Sequence, residues 1–297
     1  MARTKAISLL SAASTKADLA EIYGLVIENV QKTALSTELK SQQYTGNPAA
    51  GSVEVKRFVN SAPKAYGTAR AAAKGDAVTA PPTTVNLDQH KEIVEEIAKF
   101  DIDTFGVAGV MARRADNHVQ SMAADLDRAF FSAAATEGTA FTPASGVTEI
   151  QDVVEAMIQT LESTHNDYVD GVDRSLMDLV LTPEKYGKLR TFLDTQSNPN
   201  VDTAGEEFAM YHGVRVYSST RLPVTTETVE ETQTKTTVTD ALLMIRGAVA
   251  QPVVSDQYSA PEKIPLSNDF AVSLFYDYGT KALTPDLILK MQTSTTV

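Results

Sequence analysis

Histidine and acidic side chains are the groups in this sequence that are chemically best suited to catalysis or metal binding. The four histidines are His90, His118, His165 and His212, and none of them lies in a metal-binding spacing. We expect each of them on a helix face or at the surface. The sequence also contains no nucleophile-elbow, phosphate-loop or dinucleotide-binding glycine motif. It therefore predicts no catalytic residue and no cofactor, and it disfavours an enzyme.

One acidic cluster resembles a calcium-binding loop in composition. Asp167, Asp170 and Asp173 surround Gly171, whereas an EF-hand needs acids at every second position before its glycine. A polar loop between a helix and a strand explains the cluster better, so no metal site is predicted.

Two adjacent arginines could bind a phosphate group. Arg113 and Arg114 fall within a predicted helix, close to Asp116. Arginines on the exposed face of a helix, near an acidic residue, are the commoner arrangement, and this is the interpretation we favour.

The composition is that of a globular protein with an acidic surface. Of the 297 residues, 43% are hydrophobic and 22% are charged, and the net charge is −12. The absence of cysteine excludes disulfides, thiolate metal sites and a cysteine nucleophile. No apolar run approaches the roughly 20 residues that cross a bilayer, and a signal peptide is the less favoured reading of the N-terminus. We expect a soluble, cytoplasmic protein that does not enter a membrane.

The charge is unevenly distributed along the chain. Residues 1–81 have a net charge of +4, whereas residues 82–297 have −16. A basic segment without acids contains Lys56, Arg57, Lys64, Arg70 and Lys74. Docking of this segment onto the acidic body of a neighbouring copy is our first interpretation. A solvated loop is the second, and a nucleic-acid arm, with only Phe58 and Tyr66 available for stacking, is the third.

Alternating residues predict that this basic segment joins two strands. Strands are expected at 51–59 and 83–89, and the residues between them are too small and polar to form a core. The result is an extended β-hairpin that needs a covering partner. A short amphipathic helix is expected at 16–35. The local pattern of 92–100 indicates a helix, because Ile93 and Ile97 are four residues apart.

The strongest predicted element is a long helix over residues 104–135, with Asp103 as its N-cap and Gly138 as its stop signal. Its apolar stripe consists of Met111, Ala115, Val119, Met122, Leu126 and Phe130. At 1.5 Å per residue this helix is roughly 45 Å long.

The rest of the chain predicts an α/β unit. Thr148 and Gln151 match a capping box before a helix at 150–161, and Thr182-Pro183 opens another helix after a strand. Residues 224–239 predict a polar hairpin or surface loop. The expected strands are 175–181, 213–219, 241–249, 270–280 and a final strand near the C-terminus.

Two runs carry a resemblance to a known family, namely DLVLTPEKYGKLRTFL and HGVRVYSSTRLP. With the order of the predicted elements, they resemble the major capsid proteins of tailed double-stranded DNA bacteriophages, which share the Hong Kong 97 fold. The resemblance implies an α+β fold with an N-terminal arm, an extended loop, a long spine helix, and peripheral and axial domains. It also implies an extended strand at 92–98, against the local helical pattern.

The domain ranges that the resemblance implies are 1–50 for the arm, 51–90 for the extended loop, 91–145 and 251–297 for the peripheral domain with its spine helix at 104–135, and 146–250 for the axial domain. The implied function is self-assembly through hexamers and pentamers into an icosahedral phage head that encloses double-stranded DNA. Assembly is expected in the host cytoplasm, with a separate scaffolding protein, a portal and decoration proteins as partners. Lys64 and Lys74 lie where some members form covalent crosslinks, but no motif identifies a crosslinking site.

Three alternatives remain open from the sequence. An encapsulin-type compartment has the same fold and encloses protein cargo. A small α/β hydrolase or transferase would be compact and have a pocket with perturbed pKa values. A nucleic-acid-binding module would use residues 56–74, although the net charge of −12 disfavours it.

Overall fold

The computed structural model describes residues 34–45, 47–68, 74–100, 103, 107–195, 210–230, 233–255 and 262–296. Most of the helix predicted at 16–35 lies outside these residues. The chain forms two compact units. In the described residues, unit 1 contains Leu87–Leu126 and Val253–Tyr278, and unit 2 contains Leu35–Asn86, Asp127–Pro252 and the chain from Gly279 onward. None of the described helices is long and apolar enough to cross a membrane.

The sheet of unit 1 is built around one long antiparallel pair. Strand β3 (Gln89–Ile97) pairs with β13 (Phe270–Tyr278) over nine residues, and β11 (Val253–Ser255) and β12 (Glu262–Lys263) pair with the other edge of β13. The strand implied by the resemblance for 92–98 is therefore confirmed. The helix indicated by the local pattern is wrong, because β13 supplies a hydrogen-bonding partner that lies about 180 residues away in the sequence.

The predicted long helix is confirmed as α2 (Val107–Glu137), but its capping and its stripe differ from the prediction. Asp103 itself has helical backbone and pairs with Lys99 at 2.7 Å, so it is not an N-cap. Val119 is 51% exposed, whereas Leu126 and Phe130 are buried. The structure does not describe the side chains of Met111 and Ala115, and the side chain of Met122 is half-buried.

Polar contacts join α2 to the sheet within unit 1. Arg114 Nε donates to Glu95 Oε2 at 2.6 Å, and the buried His118 lies 3.0 Å from the same carboxylate. Burial of Glu95 opposes its ionisation, but Arg114 and His118 outweigh burial and lower its pKa. Arg114 is therefore part of a packed ion pair rather than a solvated helix face, and His118 belongs to the interior. Sequence reasoning missed both because Glu95 lies on another element.

Two stacked tyrosines of β13 donate to α2. The hydroxyls of Tyr276 and Tyr278 each lie 3.1 Å from Asp125 Oδ2. Burial and the charge of Asp125 raise the pKa of Tyr278 to about 12, and they raise the pKa of Tyr276 as well. The folded protein therefore favours the neutral phenols.

We expect unit 1 to lose stability at alkaline pH for this reason. The pKa of Tyr278 is higher in the folded state than its unfolded value of 10.0. Its contribution to the stability of unit 1 is therefore complete below pH 10.0 and is lost as the pH rises through about 12. Thermal unfolding between these pH values should show the loss, and Tyr276→Phe with Tyr278→Phe should make it smaller. Identical pH profiles for the wild type and the double variant would contradict the prediction.

Unit 2 contains a mixed sheet in the order β4, β15, β9, β5, β7, β6, with β8 paired to the far end of β9. Its strands are β4 (Thr139–Ala140), β5 (Met177–Leu181), β6 (Met210–Tyr211), β7 (Val214–Ser218), β8 (Val224–Glu230), β9 (Gln233–Ile245) and β15 (Ile288–Thr296). The unit also contains α1 (Ser36–Leu39), the pair β1 (Ser52–Lys56) and β2 (Pro82–Asn86), and the pair β10 (Val249–Ala250) and β14 (Lys281–Ala282).

Two helices pack against this sheet. Helix α3 (Ile150–Glu162) buries the predicted apolar face, including Val154 and Ile158, and α4 (Pro183–Thr195) begins at the predicted proline. The predicted capping box is wrong, because α3 has Glu149 as its N-cap with no side-chain capping bond.

The last turns of α2 pack in unit 2 through Phe130 and Phe131, which meet edge to face at 5.5 Å. The chain turns at Gly138, where a Cβ would lie 2.6 Å from the carbonyl oxygen of Ala134 and 2.7 Å from Ile288 Cγ2. Because these neighbours include backbone, only glycine allows this close approach between helix and sheet. The predicted stop signal therefore has a packing reason.

The polar hairpin predicted at 224–239 is confirmed and forms part of a ribbon. Beyond the body of the sheet, β8, β9 and β15 continue as three strands, in which β8 and β15 flank β9 on opposite sides. Their side chains there are mostly threonine, and they are exposed at 224–228 of β8 and at 292–296 of β15. We call this extension, formed by Val224–Glu230, 233–239 and 292–296, the polar ribbon.

Candidate assembly surfaces

The extended loop begins and ends on a small, anchored hairpin. Strands β1 and β2 pair over five residues, and Val53 and Val85 are buried against Ala250. Beyond the strands, Val59 N donates to Thr79 O at 3.0 Å. Phe58 is 64% exposed, and the residues after Val59 are exposed in the described part of 60–79, including the fully exposed Tyr66. This loop therefore presents both charge and aromatic surface to solvent.

The root of the loop is fixed to unit 2 by Arg57. Its guanidinium binds both carboxylate oxygens of Asp286 at 2.7 and 2.9 Å and lies 4.3 Å from the ring centre of Tyr168. Asn166 Nδ2 donates to the same carboxylate at 2.7 Å, and Asn60 N donates to the carbonyl of the nearby Asp167 at 2.9 Å. Burial opposes ionisation of Asp286, but the bonds from Arg57 and Asn166 outweigh it and lower its pKa.

The five predicted contact residues therefore have different surroundings. Arg57 is engaged within its own subunit. Lys64 pairs with Asp76 at 2.7 Å, and both side chains are largely exposed, so solvent weakens that pair. Lys56 and Lys74 are exposed, and Arg70 lies outside the described residues. The structure leaves Lys56, Lys64 and Lys74 available to a partner.

The outer face of the unit 1 sheet has the opposite charge. Because side chains alternate along a strand, the face opposite the one that contacts α2 contains Glu92, Val94 and Glu96 of β3, and Phe275 and Asp277 of β13. Val94 is 51% exposed and Phe275 is 43% exposed. The paired register adds Glu262 at this face, and none of the described strand positions on it is lysine or arginine. We call it the acidic face.

Sequence reasoning missed the acidic face, although its signal is visible in the chain. The alternation of Glu92, Val94 and Glu96 places all three on one side of a strand but distributes them around a helix. The local helical interpretation of 92–100 therefore concealed the surface.

The remaining candidate residues form no site in the described residues. His90, His165 and His212 are exposed and lie within 3.0 Å of Asp277, Asp170 and Glu155, respectively. Asp167, Asp170 and Asp173 are exposed loop residues, and no group of three metal-binding side chains occurs in the part of the chain that the structure describes. The geometry at Asp170 is that of a surface ion pair within a short turn.

Comparison with known proteins identifies the family. A family model described as phage capsid protein matches residues 91–291, which is more than half of the chain. The chain belongs to the phage capsid protein family. This capsid protein is therefore a structural component of a virion capsid, and the function predicted from the resemblance is confirmed at that level.

Solved structures agree with the assignment of the fold. A structure from Mycobacterium phage Che8 is 18% identical, covers 90% of this chain and 94% of its own, and has a TM-score of 0.65. The capsid of cyanophage P-SCSP1u is 14% identical, with 90% of each chain covered and a TM-score of 0.61. A virus-like particle from Pyrococcus furiosus is 10% identical, covers 87% and 91%, and has a TM-score of 0.52.

These likenesses confirm the predicted α+β, Hong Kong 97-like fold of the capsid protein. No curated protein matches the sequence. The domain ranges inferred from the resemblance stay predictions.

Proposed function

We propose that copies of this capsid protein assemble through hexamers and pentamers into an icosahedral shell around double-stranded DNA, and that the basic loop of one copy docks on the acidic face of the next. The observation that carries the proposal is the complementarity of these surfaces. Lys56, Lys64 and Lys74 project with exposed aromatic residues, whereas the acidic face combines carboxylates with Val94 and Phe275. Opposite charges accelerate association and select the register, and the apolar groups add area removed from water.

The proposal includes the wider expectations from the sequence. The ranges 1–50, 51–90, 91–145 with 251–297, and 146–250 serve as arm, extended loop, peripheral domain and axial domain. A separate scaffolding protein, a portal and decoration proteins act with the shell, assembly takes place in the bacterial cytoplasm, and the protein has no enzymatic activity. The complementary loop and face support only the contact between copies.

Charge reversal tests this contact. Lys56→Glu, Lys64→Glu and Lys74→Glu together should prevent assembly while leaving the subunit folded, because each side chain is exposed. Arg57 stays unchanged, since it holds the root of the loop. Particle mass by light scattering, with negative-stain images, measures assembly, and circular dichroism checks the fold. If the wild type needs a scaffold, the same comparison is made with the scaffold coexpressed.

The matched control reverses both surfaces. Glu92→Lys, Glu96→Lys and Glu262→Lys in the same chain restore opposite charges and return the net charge to that of the wild type. We expect this combined variant to recover particles. Normal shells from the loop variant alone would contradict the docking proposal.

A further inference from the structure

The two lateral edges of the polar ribbon are formed by β8 and β15, and neither edge has a partner strand among the described residues. The outer edge of β8 pairs with no other strand there, and β15 pairs on its outer side with β4 only at Leu289 and Lys290. Both edges are solvent-exposed. An open edge presents unpaired N–H and C=O groups that bind another strand.

The two edges have few of the features that usually protect such edges, and the β15 edge has the fewest. Residues 292–296 (QTSTT) contain neither a charge nor a proline, and β8 contains neither lysine nor proline, although it contains Glu227 and Glu230 and a register irregularity near its end. Threonine is also a strong strand former. Natural proteins place lysine, proline or a covering element on exposed edges, so a bare edge of this composition is expected to be covered in the working form of the protein.

The backbone hydrogen bonds show which groups of the two edge strands point outward. The Pro223 carbonyl accepts from Thr239 N at 3.1 Å and so points toward β9. Because orientation alternates along an antiparallel strand, the backbone groups of Val224, Thr226 and Thr228 point away from β9. On β15, the Lys290 carbonyl accepts from Phe141 N at 2.8 Å and points away from β9.

The same alternation extends along β15. It directs the backbone groups of Gln292 and Ser294 outward as well. The side chains agree with this orientation, because Ser294 Oγ and Thr237 Oγ1 lie 2.9 Å apart, as expected for the close, non-hydrogen-bonded pair of an antiparallel ladder. Each edge therefore presents a regular row of backbone donors and acceptors that have no partner in the part of the chain that the structure describes.

We infer that the β8 edge of one copy pairs with the β15 edge of the next copy, which joins the polar ribbons into a continuous sheet around a ring. The inference rests on the proposed shell. Both strands are antiparallel to β9 and so run in the same direction, which makes the contact between copies parallel. An interface between two different edges of the same sheet propagates from copy to copy, and it closes into a ring when the rotation allows.

Intermolecular disulfides test the pairing directly, because the chain contains no cysteine. Thr225→Cys with Ser294→Cys places one thiol on each edge and both thiols on the same face of the ribbon, because both residues pair with Thr237 of β9. Within one copy these positions flank β9, about 10 Å apart, which is too far for a disulfide. Oxidation of assembled particles should therefore give a ladder of crosslinked chains that ends at pentamers or hexamers. Each single variant should stay uncrosslinked. An uncrosslinked double variant would overturn the inference.

Proline substitutions provide a second test. Thr226→Pro and Ser294→Pro each remove an outward N–H that makes no bond to the described residues of the subunit, and prolines are tolerated at such edge positions. We expect unchanged circular dichroism but loss of particles, whereas Thr226→Ala and Ser294→Ala should assemble normally. Normal particles from both proline variants would overturn the ribbon pairing and leave the shell intact. Failure of the wild type to assemble, even with a scaffold, would overturn the proposed shell and the pairing together.

Discussion

Replacing Arg221 by methionine is expected to lower the free energy of unfolding by about 3–5 kcal/mol. Arg221 Nη1 donates to Asp127 Oδ2 at 2.6 Å, and the Asp127 side chain is only 1% exposed. The substitution leaves this carboxylate buried without its cation. The remaining donors are the backbone N–H groups of Leu35 and Ser36, at 3.1 and 2.8 Å. Urea denaturation of the disassembled subunit measures the loss.

Two controls separate the buried charge from the loss of an arginine. Arg215→Met removes an exposed arginine of β7 and should change the free energy of unfolding by less than about 0.5 kcal/mol. Adding Asp127→Asn to Arg221→Met removes the uncompensated charge and should recover part of the stability. A loss below about 1 kcal/mol for Arg221→Met would fall within the range of exposed pairs and would contradict the prediction.

The second large effect is expected at Phe130. This side chain is fully buried in unit 2 and packs edge to face against Phe131. Phe130→Ala removes the ring and leaves a cavity, which should cost about 3–5 kcal/mol. The same denaturation experiment measures the change.

The matched control lies on the same helix. Val119 belongs to the predicted apolar stripe but is 51% exposed, so Val119→Ala should change the free energy of unfolding by less than about 0.5 kcal/mol in the isolated subunit. Equal losses at Phe130 and Val119 would mean that the helix buries the face predicted by periodicity rather than the face seen in the structure.

The two proposed contacts between copies have separate physical bases. The loop contact depends on charge, so it should weaken as salt screens the surfaces. The ribbon contact consists of backbone hydrogen bonds between edges in which residues 292–296 have no charge, so it should respond less to salt. Assembly at increasing ionic strength therefore separates the contribution of the lysines from that of the ribbon.

The elements that the sequence predicted correctly have strong local patterns. Helix α4 follows the Thr182-Pro183 signal, α3 follows the repeat of Ile150, Val153 and Val154, and the polar hairpin follows its high threonine content. Helical period, strand period and proline geometry act within a few residues. The basic segment can also be identified from the sequence alone, because residue charges are known without the fold.

The tertiary structure determined the features that depend on residues far apart in the sequence. Strand β3 forms because β13 pairs with residues whose own pattern favours a helix, and that pairing creates the acidic face. Arg57 differs from the other loop cations because Asp286, 229 residues away, binds it. Likewise, Glu95 of β3 lies beside His118 of α2. Hydrogen-bond partners and burial are properties of the folded chain, so local periodicity determined most of the elements, whereas the fold determined strand β3 and the side chains that remain for assembly.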